Sequence, residues 1–235
     1  YKGALFMIAG ILEKTTGIRN VDELNGLIRQ LPVLGVAAVF AAASMSGLPP
    51  FIGFIAKELL YEVKLDTPFW GWSLLACGVV ANAANIVVAL KVGVAPFLAP
   101  RKEKALEILK KPSIPLILGP LVLAVASLLL GLFPQTLLGD FVTAMVKQIE
   151  VEEVKIKLKL WHGFNLVLLL SLITMLLGAL AFAFRHRLAA FARFLGESTR
   201  APAASAVFRR GLSSFLGFAG WLTSVFQSGN LRNYF

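Results

Sequence analysis

Cysteine is nearly absent from this 235-residue chain. The single thiol, Cys77, excludes a disulfide framework and a cysteine-built zinc site. Histidine is almost as scarce: His162 and His186 sit at the edges of apolar runs without the spacing of metal ligands. Charge is thin as well, 15% of residues where soluble domains carry about 25%. The acids are the rarer sign, 13 Asp and Glu against 23 Lys and Arg, for a net charge of +10. No nucleotide-binding loop, catalytic triad or metal cluster is written into the sequence. It holds no internal repeat and no low-complexity tract. Neither a signal peptide nor an initiator Met precedes the first apolar run, so the chain is expected to be a piece cut from within a larger protein.

What fills the space is apolar: 57% of residues are hydrophobic, and the mean hydropathy is +0.78. A soluble domain of this size buries about three quarters of its surface, which would leave a large apolar area wet. An ordinary water-soluble enzyme is excluded. The basic residues lie between apolar runs rather than on one polar domain, so nucleic acid is not the expected partner. A lipid bilayer with basic cytoplasmic loops is.

A bilayer crossing takes roughly 20 apolar residues. Residues 1–12 read as the second part of a helix, followed by a polar loop over 13–31. Residues 32–65 read as one largely apolar run of 34 positions, interrupted by Gly47-Leu48-Pro49-Pro50. As one straight helix this run would reach about 51 Å, too long for a core of about 30 Å. Proline removes backbone donors and clashes with the preceding turn. The segment is therefore predicted to be one crossing made of two half-helices, broken at Gly47, Pro49 and Pro50. Further spans are predicted at 69–97, 115–137 and 163–184, separated by a basic loop (101–113) and a mixed-charge segment (138–162). The chain divides into a membrane part, 1–184, and a basic tail, 185–235. In the tail Phe208, Leu212, Phe215, Ala219, Leu222 and Phe226 recur every three or four residues opposite Ser213, Gly217, Gly220 and Ser224. That pattern is an amphipathic helix suited to a membrane surface or another subunit, the alternative being a short soluble helix. The expected fold is an all-α membrane protein, a multi-span bundle with a discontinuous helix and this surface helix.

Alternating the spans puts fifteen Lys and Arg on one side (loops 13–31 and 101–113 and the tail) and five on the other. The positive-inside rule makes the first set cytoplasmic. Three lysines fall inside spans: Lys2, Lys57 and Lys91. A charge there costs at least about 2.5–3.5 kcal/mol on insertion scales. Lys91, near a span end, is explained by snorkelling more readily than by function. Lys57 follows the Pro-Pro break, where transporters place ion sites; the other reading is an anchor beside Glu58 at the outer end of a span. Lysine suits proton relay, because excluding water loosens its proton and an approaching carboxylate tightens it. Glu58 is the nearest acid but points about 100° away around a helix. Asn82 and Asn85 have two readings, the lining of a wet path and ordinary interhelical hydrogen bonding.

The stretch Ser44-Met45-Ser46-Gly47-Leu48-Pro49-Pro50-Phe51-Ile52-Gly53-Phe54-Ile55-Ala56-Lys57-Glu58 resembles the proton-translocating, antiporter-like membrane subunits shared by respiratory complex I, membrane-bound hydrogenases and Mrp-type cation/proton antiporters. The opening Tyr1-Lys2-Gly3-Ala4-Leu5-Phe6-Met7 is similar to a second signature of that family, with Lys2 on its intramembrane lysine. Within the family, Thr16-Gly17-Ile18-Arg19-Asn20 and the end Gln227-Ser228-Gly229-Asn230-Leu231-Arg232-Asn233-Tyr234 are similar to the large A subunit of Mrp antiporters. Ala56 stands where the family usually has Ser, and Asn20 where it has Asp. The resemblance implies that 1–184 is part of an antiporter-like transmembrane domain. It implies a non-enzymatic subunit of a multisubunit Na⁺/H⁺ antiporter in the cell (inner) membrane, assembled with other membrane subunits. Lys57 would be the terminal proton-relay lysine, Lys2 the central one and Glu58 the acid that modulates one of them. Na⁺ and H⁺ would be transported ions, with no cofactor. The alternative is a proton-pumping membrane subunit of a quinone oxidoreductase or hydrogenase.

Overall fold

Apolar runs interrupted by proline fold as helices throughout a computed structural model that describes residues 1–100, 108–109, 111–148, 158–161, 163–198 and 204–226. No strand occurs among the described residues. Helix α1 (Lys2–Thr16) runs past the apolar stretch that ends at Leu12. Its last turn is polar but self-satisfying: the Thr15 and Thr16 hydroxyls donate back to the carbonyls of Ile11 (2.5 Å) and Leu12 (2.7 Å). Gly17 then closes the helix at φ 73°, a left-handed cap for which glycine is favoured. The loop that follows holds two single turns, Val21–Glu23 and Leu27–Arg29.

The predicted break is present. Helix α2 (Pro32–Met45) starts with Pro at its first position, where a missing N–H costs nothing. Helix α3 (Ile52–Asp66) resumes after Gly47, at φ 67°, and a cis peptide between Pro49 and Pro50. Helix α4 (Gly71–Ala89) continues through a π-helical turn, Leu90–Val94, into the short α5 (Ala95–Leu98). The widened turn precedes Pro96, which offers no N–H to the regular ladder.

The span expected at 115–137 is corrected. Helix α6 (Ile114–Leu132) ends early, and Pro134 opens a separate helix, α7 (Pro134–Val146), which runs from the end of the expected span into the stretch read as a mixed-charge connection. Proline at 134 disfavours helical geometry at Phe133, which sits at φ −122°, ψ 54°. Helix α8 (Leu166–Ala183) is the last apolar one. Among the described residues three stretches are long and apolar enough to cross a membrane: Gly71–Leu98, Ile114–Leu132 and Leu166–Ala183; Pro32–Met45 is a shorter apolar helix. The chain is an all-α, multi-pass membrane protein.

Tyr1–Ala183 forms one compact unit. Its largest core joins Ile8 and Leu12 of α1, Leu27 of the loop, Leu34 and Ala38 of α2, and Phe97 of α5. Buried alanines at 37, 38, 41 and 42 let helices approach closely. Helices α1 and α6 run antiparallel, with Gly3 beside Leu123 and Gly119 beside Met7. Helix α3 lies antiparallel to α4 across the Thr67–Trp70 turn, with Lys64 against Gly78. Helices α4 and α8 run in the same direction, since Ile86 meets Gly178 and Asn82 and Thr174 meet on one tyrosine hydroxyl.

Phe184–Phe235 forms a second unit. It contains α9 (Arg185–Ser198), which was not expected from the sequence, and α10 (Ala204–Phe226), which covers the predicted amphipathic segment. Phe208, Leu212 and Phe215 are exposed on α10. Most of loop 101–113, Lys155, Lys157, His162 and the closing residues 227–235 lie outside the described residues.

Candidate functional site

A helix that stops inside a membrane leaves carbonyls without a partner four residues on. Three near the break are taken by main-chain donors: Ala42 by Ser46, Ala43 by Leu48 and Ser44 by Gly47. The Gly47 carbonyl is taken by a side chain. Lys57 Nζ donates to it at 3.1 Å, from the second turn of α3 back across the break. Lys57 is only 5% exposed, and its Nζ also stands 5.7 Å from the centroid of the Phe54 ring. Glycine at 47 serves twice. It adopts a left-handed φ, and a Cβ there would meet Lys57 Cε and Nζ at 2.9 Å.

The two half-helices overlap rather than stack end to end. Gly53, in the first turn of α3, passes so close to the Ser44 carbonyl of α2 that a Cβ would overlap it. From the other side, Gly131 of α6 presses its backbone on Pro50 and Phe51. Ser127 of α6 donates to Ser44 Oγ at 2.6 Å, so the end of α2 is also pinned by a buried hydroxyl pair.

Beside Lys57 lies a cavity of about 60 Å³. Met45, Ser46 and Gly47 line it from the break, Asn82 and Asn85 from α4, and Tyr1 from the start of the chain. A water needs about 10–15 Å³ of such volume and two or more polar partners, so the cavity has room for a small cluster. An ammonium has three hydrogens; with one on Gly47, the others are available to it.

The sequence-predicted residues are distributed as follows. Lys57, Gly47 and the Pro49–Pro50 peptide come together at the break. Glu58 is buried next to Lys57, 6% exposed. Lys2 is exposed at the first residue of α1, beside Tyr1. Asn82 makes the interhelical hydrogen bond, donating to Tyr61 Oη at 3.0 Å, and also borders the cavity. Lys91 does more than reach an interface, forming a 2.9 Å ion pair with Asp22 of the loop after α1. His186 is exposed. Among the described residues no three His, Cys, Asp or Glu side chains gather.

Sequence reasoning missed Tyr61, fully buried and within hydrogen-bond reach of Thr174 (2.9 Å) on α8. Its position four residues after Lys57, on the same helical face, was the available signal. It also missed the Ser44–Ser127 pair, for which one sequence offers none.

A family model described as "NADH:quinone oxidoreductase/Mrp antiporter, TM" matches residues 1–83. The chain is 25% identical to the A subunit of the Na⁺/H⁺ antiporter of Alkalihalophilus pseudofirmus over 250 aligned residues, covering 100% of this chain and 31% of that protein. It is 33% identical to the A1 subunit of the Na⁺/H⁺ antiporter of Staphylococcus haemolyticus over 192 aligned residues, covering 77% of this chain and 24% of that one. Its fold matches a chain in the structure of the Mrp complex from a Dietzia species with a TM-score of 0.72 and 28% identity, over 99% of this chain and 25% of that chain. The chain thus spans 24–31% of the length of the relatives it matches.

Proposed function

We propose that this chain, whose residues 1–83 match the family model of NADH:quinone oxidoreductase and Mrp antiporter membrane subunits, forms part of a proton path in a multisubunit Na⁺/H⁺ antiporter. It acts there as a transporter subunit rather than a catalytic enzyme. The observation that carries the reading is the ammonium of Lys57 on the Gly47 carbonyl, beside a cavity inside a broken membrane helix. Lys57 holds a proton there and hands it to cavity water. Glu58, on the next position of α3, modulates how tightly that proton is held. Lys2 is the preceding relay lysine, a reading supported by its neighbour Tyr1, which lines the Lys57 cavity. Both named relatives are Na⁺/H⁺ antiporter subunits, which favours cation exchange over redox-driven pumping. The basic loops and tail face the cytoplasm in this reading, and other membrane subunits cover the faces of α1–α8 that this chain leaves bare.

The test is Lys57→Ala in the full-length protein, co-expressed with the remaining antiporter subunits and assayed in inverted vesicles. Na⁺-dependent proton movement is expected to disappear while the complex still assembles. Lys57→Arg is expected to fail equally, since a guanidinium keeps its proton. Near-normal antiport by assembled Lys57→Ala would overturn the reading.

A further inference from the structure

Beyond Lys57, toward the Thr67–Trp70 turn, polar side chains continue through apolar surroundings in a regular order. On α3 they are Lys57, Tyr61 and Lys64, spaced four and three residues apart and so on one helical face. On the antiparallel α4 their counterparts are Asn85, Asn82 and Gly78, spaced three and four residues apart and so also on one helical face. Lys57, Asn82 and Asn85 share the cavity, Asn82 donates to Tyr61 (3.0 Å), and the Lys64 ammonium lies against Gly78. That last contact is so close that a Cβ on Gly78 would overlap Lys64 Nζ. Helix α8 supplies Thr174 to the middle level and, three residues earlier on the same face, Ser171. Because α8 runs with α4, Ser171 is displaced from Thr174 in the direction of Gly78. Ser171 is 1% exposed, and its hydroxyl has no hydrogen-bond partner. A buried hydroxyl without a partner is costly, and alanine would pack there without that cost.

We propose that this seam is the outer limb of the proton path, with Lys64 its terminal acceptor and Tyr61 the group that opens and closes it. The inference rests on the reading of Lys57 as a relay lysine. As the hydrogen bonds stand, the middle level is closed. Asn82 donates to Tyr61, and Thr174 donates its own hydrogen to the Leu170 carbonyl (2.7 Å), so the Tyr61 hydroxyl must donate to Thr174. The series ends on a carbonyl, which cannot pass a proton on. Turning the Tyr61 hydroxyl from Thr174 to Ser171 replaces that dead end with a second hydroxyl.

The transfer then balances. An N–H bond of Lys57 breaks and its proton joins cavity water, which passes one to the Tyr61 oxygen. Tyr61 releases its original hydrogen to Ser171, and Ser171 releases its own to the neutral amine of Lys64. Each oxygen gains one hydrogen and loses one. Lys64 delivers the proton to water at the Thr67–Trp70 end, and rotation of the hydroxyls resets the series.

The experiment uses the full-length protein in its assembled complex, with antiport followed by a pH-sensitive dye in inverted vesicles and assembly followed on native gels. Lys64→Gln is expected to slow maximal exchange by at least about tenfold, the lower reach of a lost proton-transfer group, with the apparent Na⁺ affinity unchanged. Lys64→Arg keeps the positive charge and the interfacial anchor but releases no proton, so it should be as slow as Lys64→Gln. Tyr61→Phe keeps the ring and removes only the hydroxyl, and it should lower the maximal rate in the same way. Full-rate exchange by Lys64→Arg would make Lys64 an anchor and overturn the inference. Full-rate exchange by Lys57→Ala would instead overturn the relay reading on which it rests. The two failures are therefore told apart by which variant stays active.

Discussion

Lys57 Nζ donates to the Gly47 carbonyl at 3.1 Å, joining residues ten positions apart across the Pro-Pro break. The contact links two needs that each exclude alternatives. Gly47 sits at φ 67°, and its missing Cβ is the space the lysine stem occupies. The lysine in turn satisfies a carbonyl that the broken ladder leaves over, and within a membrane such a group must find its partner inside the protein.

Gly47→Ala should therefore injure the site more than its size suggests. Left-handed backbone costs a non-glycine residue about 1–2 kcal/mol, and the new methyl displaces the lysine amine. Lower thermal stability in detergent and loss of antiport are expected together. Gly47→Ala with wild-type transport would show that Lys57 does not work from the position seen here.

The Ser44–Ser127 pair makes a prediction about coupling. Either single alanine leaves the other hydroxyl buried without its partner, at a cost of about 1–3 kcal/mol. Replacing both should recover part of that loss. Melting temperatures of the two singles and the double mutant measure the interaction, and strictly additive shifts would contradict it.

Two glycines should respond oppositely to alanine. At Gly131 a Cβ would overlap the Pro50 carbonyl and the Phe51 carbon, all of them backbone, so Gly131→Ala should prevent stable assembly. At Gly10 nothing lies within 4 Å. Gly10→Ala should be neutral or stabilise α1 by about 0.5–1 kcal/mol. Yields from membranes and native gels decide both.

Sidedness is checked with single cysteines in a Cys77→Ser background. Cysteines replacing Lys104 and Ser205 should react with an impermeant maleimide only from the cytoplasmic side, and one replacing Glu152 only from outside. Labelling of the Lys104 position in intact cells would reverse the assigned orientation.

Much of the break was legible in the sequence because its causes are local. Pro49, Pro50 and Gly47 interrupt a helix wherever they fall, and a lysine in an apolar run demands an explanation by itself. The end of α6 was written at Pro134, but the apolar run continuing to Leu137 outweighed it in the reading by composition. Helix α9 was missed although Leu188, Phe191 and Leu195 recur at helical spacing, because its arginines drew the segment into a basic tail. Tyr61, Thr174 and Ser127 carry no local signal of partnership. Their significance depends on α8 lying along α4 and α6 lying along α2, which pair spacing within one chain does not reveal.

The glycines at the break have a mechanical consequence. Gly53 rests on the Ser44 carbonyl and Gly131 on Pro50 and Phe51, so main chain bears on main chain on both sides of the interruption. Such a joint has no compressible side-chain cushion, and rocking one half-helix on the other would drive backbone atoms into contact. The interruption is therefore stiff. Motion during a transport cycle falls to the lysine stems and hydroxyl rotors mounted on it, which reorient in picoseconds to nanoseconds where they are free to turn, while the helices that carry them act as a rigid frame.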